Sequence, residues 1–189
     1  MDSSPFDADH VLAVRRIVKA LAGDADATGV QLRMAVRIIA NQYDAAEDEA
    51  LRQAGLSGPR WALLLRVMGE EVLHGRTDIS PTYLSRCLQV SKNTVSALLN
   101  GLDEQGLLER VLDPDDRRAI HIHLTPTGRE VVMATAPEHV AFLNRVSSRL
   151  APEEHAQLIN LLVKLYSGLS ADTNPIAATA ETLQRTPNP

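Results

Sequence analysis

Apolar residues recur along most of this chain at the spacing of a helix surface. Val11, Val14, Val18 and Leu21 follow one another at intervals of 3, 4 and 3, which predicts an amphipathic helix over residues 7–21 with Ser3, Ser4 or Asp7 as its N-cap. After a small, polar connection from Gly23 to Gly29, Leu32, Val36, Ile39, Tyr43, Ala46 and Ala50 recur at 4, 3, 4, 3 and 4. That seam suits a long helix packed on another helix, in the same chain or between subunits. Asp44, Glu47, Asp48 and Glu49 on its polar side read as a solvated face. Residues 55–59 break the pattern, and Trp61, Leu64, Leu65, Met68 and Val72 then predict a helix ending near His74 and Gly75, with Trp61 as a core anchor.

A polar stretch over residues 76–80 leads to a short helix over 81–88, opened by Pro81 at a favoured first-turn position. Ser91 is placed to N-cap a longer helix that turns Val95, Leu98, Leu99 and Leu102 inward and ends at Gly106. Two helices joined by so short a turn make a helix-turn-helix candidate. The period then changes to two: residues 107–112 and the alternating Ile120, His121, Ile122, His123 and Leu124 predict a hairpin with its apolar side on the core. Thr125 to Gly128 opens a helix interrupted or kinked at Pro137, resuming with Val140, Leu143, Val146 and Leu150. Pro152 and Glu153 start a last helix whose Leu158, Leu161, Leu162, Leu165 and Leu169 form a stripe. From Ala171 onward the Ala-, Thr-, Asn- and Pro-rich composition predicts a disordered tail over 171–189.

Composition sharpens this picture. Of 189 residues, 44% are hydrophobic but only 3% aromatic, so the core is aliphatic and a mostly α chain with a small β-hairpin (α+β) is favoured over a sandwich or barrel. The net charge of −5 argues, taken as a whole, against a polyanion-binding protein. A single Cys excludes an internal disulfide, and there is neither a signal-peptide pattern nor an apolar run that could span a bilayer. A soluble, cytoplasmic protein is expected, with no cofactor and no metal.

Helix, short turn, helix and hairpin in this order make a winged helix, a shape suited to duplex DNA. A helix fits the major groove with its N-terminal side chains at base edges, and a hairpin beside it reaches the backbone or the minor groove. Ser91, Lys92, Asn93, Thr94 and Ser96 supply small donors and acceptors plus one cation at the helix start. Arg117 and Arg118 stand at the hairpin tip, where a narrow groove would attract them. Asp115 and Asp116 beside them would repel phosphate if free, so at least one is expected to orient an arginine or a neighbouring donor. His121 and His123 should face away from the core onto the wing surface, without the further ligands that zinc needs. Cys87 shares a face with Leu84 and Leu88 and reads as a packing residue rather than a redox sensor.

Residues 84–88, Val90-Ser91-Lys92-Asn93-Thr94-Val95-Ser96, residues 99–102 with Glu104-Gln105-Gly106-Leu107-Leu108, and above all Asp113-Pro114-Asp115-Asp116-Arg117-Arg118 followed by Leu124-Thr125-Pro126-Thr127-Gly128 strongly resemble the MarR family of winged-helix transcription regulators. The likeness extends more loosely over residues 29–170. It implies a winged-helix lobe over 55–128 flanked by dimerisation helices over 29–54 and 129–170, with residues 1–28 as an extension carrying an extra helix. It further implies a homodimer on a pseudo-palindromic operator, acting as a repressor released by a small-molecule effector or by oxidation. On that pattern Arg118, supported by Arg117, enters the minor groove, and Asp116 helps to hold it.

The chain departs from the family at Gln89 and Lys92, where Gly and Pro are frequent, and at Ala151, which replaces a capping Ser or Thr at a cost of about 1 kcal/mol. The acidic total would also suit a winged-helix module that binds a ligand or protein and no longer reads DNA. An enzyme is disfavoured, because there is no Gly-rich phosphate loop, no nucleophile elbow and no assembled acid–base pair. Between Ser80 and Arg129 acids and bases balance, so the whole excess of acid lies outside the DNA-reading segment.

Overall fold

In a computed structural model, which describes residues 6–76, 78–113, 116 and 119–171 (side chains to 169), the chain forms seven helices and one hairpin among the described residues. The helices are α1 (Ala8–Ala22), α2 (Thr28–Leu51), α3 (Gly58–His74), α4 (Pro81–Leu88), α5 (Lys92–Glu104), α6 (Pro126–Ser147) and α7 (Pro152–Ala171). A single 3-10 turn, Arg52–Ala54, follows α2, and β1 (Leu108–Leu112) pairs antiparallel with β2 (Ile120–Leu124). The expected tail, from residue 172, lies outside the described residues. No described helix is long and apolar enough to cross a membrane. The chain divides into two units, Met1–Val140 and Ala141–Pro189.

Side-chain caps set where the helices of the first unit begin. Asp7 Oδ1 accepts the His10 N–H at 2.8 Å, Ser80 Oγ that of Tyr83 at 3.2 Å, and Ser91 Oγ that of Thr94 at 3.0 Å. The start of α3 is held differently. Asp48 of α2 accepts the Gly58 N–H at 2.6 Å, putting a carboxylate at the positive end of that helix. Neighbouring Glu47 is likewise engaged: its Oε1 lies 2.6 Å from His139 Nε2, while His139 Nδ1 accepts the Trp61 indole N–H at 3.1 Å. An indole only donates, so the His139 proton rides on Nε2 and is donated to Glu47. These two acids therefore also anchor α3 and α6, while Asp44, Asp48 and Glu49 stay exposed as a solvated face requires and only Glu47 is half-buried.

The core collects Trp61, Leu63, Leu64 and Val67 of α3, Leu84 of α4, Val95, Leu99 and Leu102 of α5, and Leu108, Ile122 and Leu124 of the hairpin. The inward face of α3 differs from the predicted stripe, since Leu65 is 38% and Val72 65% exposed while Leu63 and Val67 are fully buried. α3 packs against α2, α4, α5 and β2, so a wide arc is covered and a one-stripe reading picks the wrong edge. The polar stretch after α3 conceals Ile79, fully buried, whose carbonyl accepts the Ile122 N–H at 2.8 Å and ties this segment to β2.

Buried Glu70 accepts the Tyr83 hydroxyl at 2.5 Å, with Arg66 at 3.4 Å and Arg76 at 3.8 Å. The Tyr83 bond foremost, then the charges of His74, Arg66 and Arg76, hold its carboxyl below the usual range, and the same bond pushes the phenol up to about 12. The fold thus favours ionised Glu70. Its stabilisation is in place above the ordinary carboxylate pKa and is lost as pH falls through the lowered folded value.

α6 continues through Pro137, so of the two expected alternatives, interruption or kink, the helix is not interrupted there. A mid-helix proline removes one N–H bond, and His139, tied to both Trp61 and Glu47, fixes the next turn in place. At the start of α7 the missing hydroxyl cap is offset: Glu154 accepts the Ala151 N–H at 2.8 Å, the carboxylate half of a capping box.

Gln89 ends α4 in the left-handed region, with φ 54°. A side chain there costs energy that glycine avoids, so Gln89→Gly is expected to raise stability by about 1 kcal/mol. Urea unfolding checks this through a higher midpoint at an unchanged slope; a lower midpoint would show that the Gln89 side chain itself stabilises the turn.

Candidate nucleic-acid interface

The two sides of α5 are chemically distinct. Val95, Leu99 and Leu102 are buried, while Lys92, Asn93, Thr94 and Ser96 are exposed. Ser91 and Thr94 spend part of their capacity on the cap, their hydroxyls lying 2.8 Å apart. Lys92, Asn93 and Ser96 are left at the N-terminal end of the helix, where unpaired backbone N–H groups and the positive dipole end favour an anionic partner. The turn leading in is locked by Ser85, whose hydroxyl donates to the Val90 carbonyl at 2.7 Å. Cys87 on α4 is half-buried and free, in keeping with a packing position.

In the hairpin Leu108 pairs with Leu124, Arg110 with Ile122 and Leu112 with Ile120. The apolar side is buried at its base through Leu108, Ile122 and Leu124, but Leu112 and Ile120 further out on the same side are exposed, so its outer part projects; Val111 is exposed on the opposite face, paired with His121. Asp113 organises the turn. Its Oδ1 accepts the Asp116 N–H at 2.8 Å, its Oδ2 lies 2.7 Å from His121 Nε2, and its own N–H donates to the Ala119 carbonyl at 3.0 Å. Exposed Asp116 adds a backbone bond, its carbonyl accepting the Ala119 N–H at 2.8 Å. Asp115, Arg117 and Arg118 lie outside the described residues. His121 and His123 do leave the core face, but as carboxylate partners: His123 Nδ1 lies 3.6 Å from Glu71 Oε1.

Sequence reasoning missed three residues here. Asp113 has the signature of an Asx turn, a side chain accepting an N–H a few residues on. Arg110 of β1 reaches the solvent side of α5, binding Asn100 Oδ1 and standing 3.6 Å from Asp103, and so fixes the wing against the helix. Glu71 of α3 accepts the Leu124 N–H at 3.3 Å and pairs with Arg129 at 2.5 Å, joining β2 to the start of α6. Arg110 and Arg129 are thus neutralised locally, whereas Arg86 and Lys92 are exposed with no carboxylate in ion-pair range among the described residues.

Two helices in a short-turn arrangement, the second presenting a polar start, and a projecting hairpin define a winged helix-turn-helix protein. The profile of the MarR family matches residues 54–119. The HTH-type transcriptional regulator YkoM of Bacillus subtilis (strain 168), itself uncharacterized, is 32% identical over 132 residues, which are 68% of this chain and 81% of that protein. The HTH-type transcriptional repressor YetL of the same organism is 26% identical over 147 residues, 77% of this chain and 84% of that protein. Among solved structures, the S. aureus MepR–DNA complex matches at a TM-score of 0.66 and 25% identity, covering 72% of this chain and 96% of that one. The chain belongs to the MarR family of transcriptional regulators.

Proposed function

We propose that this protein is a DNA-binding transcription regulator, a repressor that sits as a homodimer on a pseudo-palindromic operator and leaves it when a small effector binds. The observation that carries this reading is the start of α5, where Lys92, Asn93 and Ser96 are exposed beside a wing held in place by Arg110. Asn93 suits adenine, Lys92 suits guanine or phosphate, and Ser91, Thr94 and Ser96 suit phosphate or either base. Arg117 and Arg118 would enter the minor groove from the wing, with Asp115 and Asp116 as their supports. The DNA complex of the relative MepR supports this use of the fold.

Self-association is supported by apolar residues left exposed. Leu32, Val36, Ile39 and Tyr43 on α2 are each at least 39% exposed, and on α7 Leu158, Leu161, Leu162 and Leu169 are at least 43% exposed. We assign residues 29–54 and 129–170 to dimerisation and 55–128 to DNA reading. A cavity of about 470 Å³ lies where α2 meets the winged helix, with Asp44, Pro59, Ala62, Val90, Thr94 and Leu98 in its wall. An effector there would touch Thr94 at the start of the recognition helix itself.

The test is a fluorescence-anisotropy titration of the full chain against fragments of its own upstream region. Saturable binding to one fragment, at two chains per site and far tighter than to scrambled DNA, is the expected result. A well-folded dimer that prefers no fragment would overturn the proposal.

A further inference from the structure

The additional helix α1 does more than cover α2. Between them lies a cavity of about 300 Å³, walled by apolar side chains that include Val14, Met34, Ala35 and Ile38. None of its lining residues belongs to α3, α4, α5 or the hairpin, so it is separate from the cavity beside Thr94. Three polar side chains also line it, His10 from α1 and Thr28 and Gln31 from α2; the Thr28 hydroxyl donates to Asp26, whereas His10 Nε2 and Gln31 Nε2 are both buried without a hydrogen-bond partner among the described residues. Buried polar atoms are nearly always satisfied, so a pair of orphans in one apolar cavity needs a reason. One water occupies about 30 Å³ of the liquid, a tenth of this space, and apolar walls offer a water cluster few partners.

We infer that this cavity is a binding site for a compact, uncharged ring compound carrying one oxygen acceptor. The size is at the lower limit of small-molecule sites, which suits a single ring. Val14, Met34, Ala35 and Ile38 take the ring, while the Gln31 amide, and His10 in the tautomer that carries its hydrogen on Nε2, donate to its oxygen. The lining contains no Asp, Glu, Lys or Arg, so a formally charged ligand would be desolvated without compensation. The chemistry selects an aryl or alicyclic carbonyl over a hydrocarbon of the same outline, because only the former satisfies both donors.

The experiment titrates the full chain with acetophenone and with ethylbenzene, which has a similar outline without the oxygen, following amide chemical shifts by NMR. Acetophenone is expected to saturate one site per chain, with shifts centred on α1 and the first half of α2, and to bind about ten-fold more tightly than ethylbenzene. Gln31→Leu removes one donor without enlarging the side chain and should bring the two probes within about two-fold of each other. Ala35→Leu, which fills the cavity, should abolish binding of both, and if that variant does not fold, Gln31→Leu decides alone. Absence of saturable binding, equal affinity for the two probes in the native chain, or an unchanged preference in Gln31→Leu would overturn the inference. So would an affinity that falls as rising chain concentration drives dimer formation, which would mean that a second copy covers the cavity.

Discussion

Gly128→Ala is expected to destabilise the protein by about 2–3 kcal/mol, the range of a clash forced into a packed site. A Cβ at Gly128 would run into the carbonyl oxygen of Leu107, which is backbone and has no rotamer to escape into. This close approach belongs to a tight joint. Thr125 N–H donates to the Leu107 carbonyl at 3.2 Å, Thr125 Oγ1 donates to the Gly106 carbonyl at 2.7 Å, and the same oxygen accepts the Gly128 N–H at 2.9 Å. Relieving the clash would separate the start of α6 from the start of β1 and break this set. The loss corresponds to a fall of roughly 5–10 °C in melting temperature for a chain of this size. Gly69→Ala serves as control: that helical glycine has open space around it, and alanine there should stabilise by up to about 1 kcal/mol. Equal melting temperatures for the two variants would show that the joint at Gly128 is loose.

Arg118→Ala is expected to weaken specific DNA binding about 10- to 100-fold, the effect of removing one well-placed arginine worth about 1–3 kcal/mol. If that arginine neutralises one phosphate, its removal should also reduce the slope of log affinity against log salt by about 0.9. The charge distribution makes the effect large. Arg110 and Arg129 are consumed by Asn100, Asp103 and Glu71, so few cations remain near the proposed DNA-reading surface to compensate. Titrations of native and Arg118→Ala protein at several salt concentrations measure both quantities. An unchanged slope with unchanged affinity would assign the wing tip a structural role and remove it from the proposed interface.

Local signals carried much of this fold. The N-cap at Ser91, that at Asp7 as one of three candidates, the inward Val95, Leu99 and Leu102, and the switch to period two at the hairpin all depend on neighbours within a few residues, which a sequence displays directly. The exposed start of α5 followed from the same periodicity. Where prediction and structure differ, the partner lies far along the chain. The anchoring bonds of Glu47 and Asp48 are not legible, because nothing nearby in sequence announces His139, 92 residues away, or the Gly58 amide across a turn. Val72 looks inward because the pattern gives a stripe but not the arc that surrounding elements cover. Glu71 and Arg110 are ordinary surface charges until packing brings Arg129 and Asn100 to them.

By itself, then, the sequence determined the type and order of the elements, the membership in the winged-helix class and the polar set at the start of α5, because hydrophobic periodicity and capping are short-range properties. Tertiary structure alone decided which charges are consumed as anchors, how far the wing projects and where cavities open. These depend on long-range juxtaposition, above all the Trp61–His139–Glu47 chain joining three helices and the buried His10 and Gln31 nitrogens that have no partner among the described residues between α1 and α2.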